Sequence, residues 1–188
     1  MACHVNDVFV VKWAAGYAER MPSEEVRLFA QLTPVLEAQG YFTRDQFLDV
    51  GRWKSPRSRS LLLKNSEDEV KEVTKIALGP TEERVSALRG LHGVQEAIAS
   101  ALLTVWRPDA YTVTDWRARD CLKHLGCLAL ARPTYGLYLG VCRDLSDKLN
   151  LPDDEVPALR LLDRALWKYS QTYFDTKTGR WTDDLNDS

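Results

Sequence analysis

The sequence predicts an all-α protein of nine or ten helices. Over most of the chain, apolar residues recur at three- and four-residue intervals, the spacing that places them on one face of a helix. Only residues 111–114 alternate as a strand does, and this run is short enough to be an extended connector. With 188 residues, 45% of them hydrophobic and 28% charged, the chain is long enough to bury a core and too apolar to be disordered.

In the first half of the chain, proline, glycine and capping residues separate the predicted helices. Helices are expected over residues 8–19, over residues 22–40 with a kink at Pro34, and from Thr43 onward. Pro56 bars a regular helix, so residues 51–60 are predicted to form a loop or broken turn. Ser66 and the three acids after it predict the start of a helix that runs to Leu78.

The second half predicts helices over residues 84–91, 94–106, 115–125, 135–149 and 155–174. The polar tail, residues 183–188, is expected to fray. No internal repeat or low-complexity tract is present, so residues 1–188 are treated as a single helical domain.

Composition excludes several classes of function. The net charge of −2 argues against non-specific nucleic-acid binding through the whole surface, although it allows a local basic patch. No run of 18 apolar residues and no basic-then-apolar leader is present, which predicts a cytoplasmic protein without a membrane span. The spacing of the four cysteines fits neither a disulfide scaffold nor a metal cluster, so free thiols are expected.

Two features between residues 88 and 126 carry candidate chemistry. Gly93, in the sequence Leu-His-Gly-Val-Gln, permits a tight turn before a helix whose first amides can bind a phosphate. Asp115 is a lone acid that opens a later helix. Each also has a plain structural interpretation, since a glycine turn is common between packed helices and an aspartate is a usual N-terminal cap.

Together the two features resemble the helix-hairpin-helix DNA glycosylase superfamily. Residues 91–99 look like the hairpin of that family, and Val113-Thr114-Asp115-Trp116-Arg117 looks like the segment that carries its catalytic aspartate. The resemblance implies a two-lobed helical bundle with a cleft between the lobes, with the hairpin over residues 84–106 and the aspartate helix over residues 114–126. It also implies that the amides of Gly93, Val94 and Gln95 contact DNA.

Three departures from the family pattern refine the expectation. Ala97 stands where the bifunctional members carry their Schiff-base lysine, 18 residues before the aspartate, so no imine can form and the enzyme should be monofunctional. Gln95 replaces the second glycine of the hairpin and His92 replaces its proline. The iron–sulfur cysteine run of some members is absent. No metal and no cofactor are expected.

The resemblance gives Asp115 a definite task. Hydrolysis of an N-glycosidic bond passes through an oxocarbenium-like sugar, which an ionised Asp115 would stabilise while it orients the attacking water. The base must first flip out of the duplex into a pocket lined by aromatic or small residues. Candidate pocket residues are Trp53, Ala97, Ala101, Tyr135 and Trp167. Aromatic residues of this kind more often form plain core, and the two alanines could equally allow close helix packing.

Two basic clusters are candidates for contact with DNA. The first contains Arg52, Lys54 and Arg57, followed by Arg59 and Lys64, with no acid among them and Trp53 interleaved. The second begins with Arg117, two residues after Asp115, and a solvated helix face explains it equally well.

Three hypotheses follow. The first is a monomeric, monofunctional DNA glycosylase that acts on duplex DNA, either in base-excision repair or in antiviral defence against hypermodified phage DNA. The second is a non-catalytic DNA- or partner-binding module with the same fold. The third is an unrelated helical protein in which Gly93 and Asp115 are only a turn and a cap.

Overall fold

The computed structural model describes residues 3–19, 23–130, 132–151 and 156–183. Within these ranges the protein is predominantly helical, with ten α-helices, one short 3-10 helix and a two-stranded hairpin of two residues a strand. The all-α prediction is therefore confirmed. In chain order the elements are α1 (Asp7–Ala18), α2 (Ser23–Gln39), α3 (Arg44–Lys54), the 3-10 turn η1 (Pro56–Ser58), α4 (Arg59–Leu62), α5 (Glu67–Leu78), α6 (Arg84–Leu88), α7 (Glu96–Trp106), α8 (Trp116–His124), α9 (Tyr135–Lys148), α10 (Ala158–Tyr173), β1 (Phe174–Asp175) and β2 (Arg180–Trp181).

The chain divides into two compact units. The first comprises Met1–Met21 with Thr114–Ser188, and the second comprises Pro22–Val113. The first unit is therefore discontinuous in sequence, since its N-terminal helix α1 is separated from its other helices by the whole of the second unit.

In the first unit, α1 and α8 both pack on the long helix α10. The buried face of α1 is narrow and contributes Val10 and Ala14, whereas α10 buries Leu162 and Leu166 almost completely. Three charged residues of α10 are also buried, which is unusual for ionised side chains. They are Arg160, Asp163 and Arg164, and the first two form an ion pair.

A disulfide between Cys3 and Cys127 joins the N-terminal segment to the loop after α8. The amide of His4 donates to the carbonyl of Leu125 at 2.9 Å, which continues the same attachment. The expectation of four free thiols is therefore wrong for this pair, because residues 124 apart in sequence are brought together by the packing of α1. The other two cysteines, Cys121 and Cys142, are buried thiols as expected.

In the second unit, α7 is the central helix, and α2, α3 and α6 pack around it. Eight consecutive residues of α7, from Ile98 to Val105, are buried. Capping boxes begin α3 and α5, at Thr43 with Gln46 and at Ser66 with Glu69, which confirms both predicted starts.

Four predicted boundaries need correction, the first being the end of α6, which lies at Leu88 rather than at residue 91. Residues 51–54 are helical, because α3 continues to Lys54 and Pro56 takes the first position of a new turn, where its missing N–H costs nothing. Helix α7 begins at Glu96 rather than at residue 94. Asp183 is held by hydrogen bonds and is not frayed, whereas residues 184–188 and the predicted helix start at 155 lie outside the described residues.

Candidate functional site

The turn between α6 and α7 depends on glycine. Gly93 has φ +78°, a left-handed conformation that side chains disfavour. A Cβ atom added to Gly93 would lie 2.7 Å from the Cβ of Leu61 and 3.1 Å from the amide nitrogen of Leu62. The backbone of α4 therefore packs directly against the turn, and both the angle and the space require a residue without a side chain.

Asn65 fastens this turn to the segment after α4. Its Oδ1 accepts a hydrogen bond from the amide of His92 at 2.7 Å, and its Nδ2 donates to the carbonyl of the same residue at 2.9 Å. Nδ2 also donates to the carbonyl of Leu62 at 2.9 Å. Asn65 is only 2% exposed, so these bonds are shielded from water. Sequence reasoning missed Asn65 because nothing local links it to a turn 27 residues later.

The start of α7 is less open to an anion than the resemblance implies. Val94 is buried, and its amide donates within the turn to the carbonyl of Leu91 at 3.2 Å. Gln95 caps the helix in an ordinary extended conformation (φ −108°, ψ 178°), so its position does not need glycine. Glu96 places a carboxylate in the first turn, where it stabilises the helix end and competes with a phosphate. Of the amides predicted to contact DNA, that of Val94 is used within the turn, whereas those of Gly93 and Gln95 donate to no acceptor among the described residues, as do those of Glu96 and Ala97 at the helix start.

The first basic cluster lies along the end of α3 and the turns after it, not in a loop. Arg52 is paired with Glu24 at 3.0 Å and with Asp49 at 3.1 Å, so much of its charge is compensated. Lys54 ends α3 and is half-buried. Arg57 and Arg59 are exposed and form no ion pair with the described residues. Arg57 and Arg59 are therefore the arginines of this cluster whose exposed charge is least compensated by ion pairs.

The candidate pocket residues of the second unit serve its packing. Ala101 is completely buried within α7 and is a core residue, which corrects its assignment to an open pocket. Ala97 is half-buried in the first turn of the same helix. Trp53 is half-buried, and its ring meets that of Phe29 edge-on at 5.6 Å, which joins α3 to α2.

Asp115 lies at the N-terminal cap of α8 in the first unit. One of its carboxylate oxygens accepts a hydrogen bond from the amide of Ala118 at 3.0 Å, and its backbone is extended. The capping interpretation is therefore correct. Burial raises the pKa of Tyr138, and the charges of Cys142 and Asp115 raise it further. The Asp115 carboxylate thus lies within electrostatic reach of a buried phenol.

Arg117 is packed among indole rings. Its guanidinium lies over the ring of Trp116 at 4.5 Å and over the ring of Trp167 at 5.9 Å. Its Nη1 is buried and has no hydrogen-bond partner among the described residues. Trp116 itself is 42% exposed, although Phe174 meets it edge-on. An exposed indole beside Asp115 was not among the predicted pocket residues, and only its place in the sequence could have suggested it.

The remaining two pocket candidates, Tyr135 and Trp167, both belong to the first unit and differ in exposure. Tyr135 opens α9 and is 7% exposed, so it belongs to the core. Trp167 is half-buried and meets the ring of Tyr17 edge-on at 5.5 Å. The structure therefore groups Asp115, Trp116, Arg117 and Trp167 in one unit, with the buried Tyr138 near the carboxylate.

A second polar network holds the C-terminal hairpin of the first unit. Asp183 accepts hydrogen bonds from the phenol of Tyr169 and from Nε2 of His124, the latter at 2.8 Å. The imidazole of His124 stacks on Trp181 with ring centres 4.2 Å apart. Cys121 lies nearby, but burial raises its pKa well above the usual value, so it is a poor nucleophile. The network is suited to fastening the hairpin rather than to catalysis.

The described residues contain no group of three His, Cys, Asp or Glu side chains placed to hold a metal ion. No helix among them is both long enough and apolar enough to cross a membrane. No protein-family model, no curated protein and no solved structure matches this chain.

Proposed function

We propose that the protein is a monofunctional DNA glycosylase, which hydrolyses the bond between a flipped, modified base and its deoxyribose. The observation that carries the proposal is the glycine-dependent turn at Gly93, which leads into α7 as the hairpin of the helix-hairpin-helix superfamily leads into its second helix. Asp115 follows Ala97 by 18 residues, at the N-terminal cap of a helix.

The assigned roles follow from chemistry. Asp115 is the catalytic carboxylate, which stabilises positive charge at the sugar carbon and orients water. Ala97 offers no amine, so the product is an intact abasic strand. Exposed arginines of the second unit, Arg57 and Arg59, bind backbone phosphates, and the amides of Gly93, Gln95, Glu96 and Ala97 add a further contact.

The decisive experiment separates the charge of Asp115 from its capping bond. In Asp115→Asn the side-chain oxygen can still accept from Ala118, and asparagine is as good an N-terminal cap as aspartate. We expect folding stability to change by less than about 0.5 kcal/mol. Base release should fall by about 100-fold or more, because the neutral amide cannot stabilise an oxocarbenium ion.

A matched control accounts for stability. Thr134 caps α9 through a hydrogen bond from the amide of Leu137 at 3.3 Å, and Thr134→Ala removes a cap without touching Asp115. This variant should lose about 1 kcal/mol and release base as the wild type does. The substrates are duplexes that carry alkylated, oxidised, deaminated or phage-type hypermodified bases, with released base measured by mass spectrometry. Release from phage-type DNA alone would favour the antiviral role over general repair.

The second candidate is a non-catalytic DNA-binding module, with which the capping bond of Asp115 agrees because a residue used as a cap needs no catalytic role. In that case wild type and Asp115→Asn would bind DNA equally and neither would release base from any duplex. That outcome would overturn the glycosylase proposal.

A further inference from the structure

Arg117 is the most unusual cation near the candidate catalytic residue. Its guanidinium lies over two indole rings, of Trp116 and of Trp167, so both cation–π contacts hold its plane in place. Nη1 is fully buried without a hydrogen-bond partner among the described residues. A buried N–H of a charged group is costly to leave unpaired, and water screens its positive charge poorly, so negative charge that develops nearby is stabilised.

The position of Arg117 links this donor to the reaction. Arg117 lies in the first turn of α8, two residues after Asp115, and all the groups involved belong to the first unit. A base that stacks on the face of Trp116 opposite the guanidinium would be separated from that charge only by the indole ring. The start of α8 thus carries a carboxylate suited to the sugar and a cation suited to negative charge on the base.

These two groups suit one class of leaving group. When the bond between the sugar carbon and the base nitrogen breaks, its electron pair goes to the nitrogen. A neutral base therefore departs as an anion, and a base already cationic through N-alkylation departs neutral. In both cases the water oxygen bonds to the sugar carbon. With a neutral base, one water proton ends on the departed nitrogen, and with a cationic base that proton passes to solvent. Only the developing anion is stabilised by a nearby guanidinium, which would repel a cationic base in the ground state.

We propose that Arg117 stabilises the departing base as an anion, so that the substrate is a neutral modified base rather than a cationic alkylpurine. The inference rests on the proposed glycosylase function and names the substrate class of that same site. Trp116 and Trp167 are positioning residues, which hold the guanidinium in place.

The test compares neutral and cationic substrates in single-turnover reactions at saturating protein. The duplexes carry 8-oxoguanine, hypoxanthine or a hypermodified pyrimidine as neutral bases, and 7-methylguanine as the cationic base. Wild type should release at least one neutral base faster than 7-methylguanine. Arg117→Met, which keeps apolar bulk between the indoles, should slow the neutral base by about 100-fold and 7-methylguanine by less than about 3-fold. Arg119→Met, which removes a different charge from the same helix, is the control and should leave the ratio of neutral-base release to 7-methylguanine release unchanged.

A second readout distinguishes stabilisation of the leaving group from a structural role. A fluorinated analogue of the base departs as a more stable anion, so its release depends less on stabilisation by Arg117. Arg117→Met should therefore lose much less activity on the analogue than on the parent base, whereas a folding defect would lower both equally. Equal losses, or faster release of 7-methylguanine by wild type, would overturn the inference while the glycosylase proposal stands. Absence of release from every duplex would overturn both.

Discussion

The side chain of Asn65 forms two hydrogen bonds to the backbone of one residue, His92, accepting from its N–H and donating to its C=O. The peptide groups on either side of His92 are thereby held in a single orientation, directly before Gly93. This relationship joins the segment after α4 to the turn that opens α7, and makes the turn dependent on a residue 27 positions away.

Replacement of Asn65 should therefore loosen the turn. In Asn65→Asp, which has the same shape, the amide donor is lost and a carboxylate oxygen faces the carbonyls of His92 and Leu62. We expect a loss of about 2–4 kcal/mol in the free energy of unfolding at pH 7, since the buried oxygen that replaces Nδ2 would meet acceptors only. Urea denaturation checks this. Gln31→Glu, the same change of group at an exposed position of α2, should change stability by less than about 0.5 kcal/mol.

Two glycines should respond to alanine with opposite signs. Gly93→Ala forces a side chain into a positive φ and within 2.7 Å of Leu61, so it should destabilise by about 2 kcal/mol or more. Gly136 lies in α9, is exposed and has no atom within 4 Å of an added Cβ, so Gly136→Ala should stabilise by up to about 1 kcal/mol. A stable Gly93→Ala variant with full DNA affinity would show that neither the angle nor the contact with α4 matters.

Much of the fold was predictable because its signals are local. The capping boxes at Thr43 and Ser66 lie within four residues, and the helical spacing of α10 is visible along the chain. Arg52 is an example of a residue whose partner could not be predicted from local sequence. Its cluster contains no acid in sequence, yet Glu24 of the preceding helix neutralises it in the structure. The clamp at Asn65 and the pair Cys3–Cys127 likewise join residues that only tertiary packing brings together.

Part of the candidate site was predictable because its sequence signals are also local. Asp115 and Gly93 stand in short patterns, so their places in the helices could be predicted from the sequence. The burial of Ala101 and Tyr135 and the exposure of Trp116 could not, because an apolar residue on a helix gives no sign of which neighbour covers it.

The arginines of the second unit should contribute unequally to DNA binding. Arg57→Gln removes an exposed charge without an ion-pair partner among the described residues, whereas Arg52→Gln removes one already paired with Glu24 and Asp49. Removal of one bond to a backbone phosphate should make the slope of log affinity against log salt shallower by about 0.9. We expect that change for Arg57→Gln and a smaller one for Arg52→Gln.

Fluorescence anisotropy with a labelled duplex over a series of KCl concentrations measures both slopes. The control is Lys75→Gln, which removes one exposed charge from α5 of the same unit and should leave the slope unchanged. If Arg52→Gln changes the slope as much as Arg57→Gln does, the ion pairs of Arg52 do not compensate its charge in solution.

The disulfide should make the stability of the first unit depend on redox conditions. Cys3 and Cys127 close a ring that includes the whole of the second unit, with a sequence separation of 124. For a ring of this length the entropy of the unfolded chain predicts a contribution of about 4–5 kcal/mol. Addition of a dithiol reductant should lower the unfolding midpoint, and Cys3→Ser should lower it equally and abolish the response to reductant. A midpoint unchanged by reductant would contradict the prediction.

The hydrogen bonds to Asp183 predict a loss of stability in acid. Partial burial by itself raises the pKa of Asp183, but the hydrogen bonds from Tyr169 and His124 lower it more, so the net pKa lies below its usual value. A carboxyl whose pKa is lower in the folded state contributes stability above its unfolded pKa of about 3.9 and loses that contribution as the pH falls through the folded value. Asp183→Asn should therefore be less stable than wild type at pH 6, and the difference should shrink below about pH 4.

Urea denaturation between about pH 2.5 and pH 7 measures this difference in stability. The control is Asp147→Asn, at an exposed position of α9, whose difference from wild type should not vary with pH in this way. A gap between Asp183→Asn and wild type that stays constant down to about pH 2.5 would show that the carboxylate of Asp183 gains nothing from its two partners.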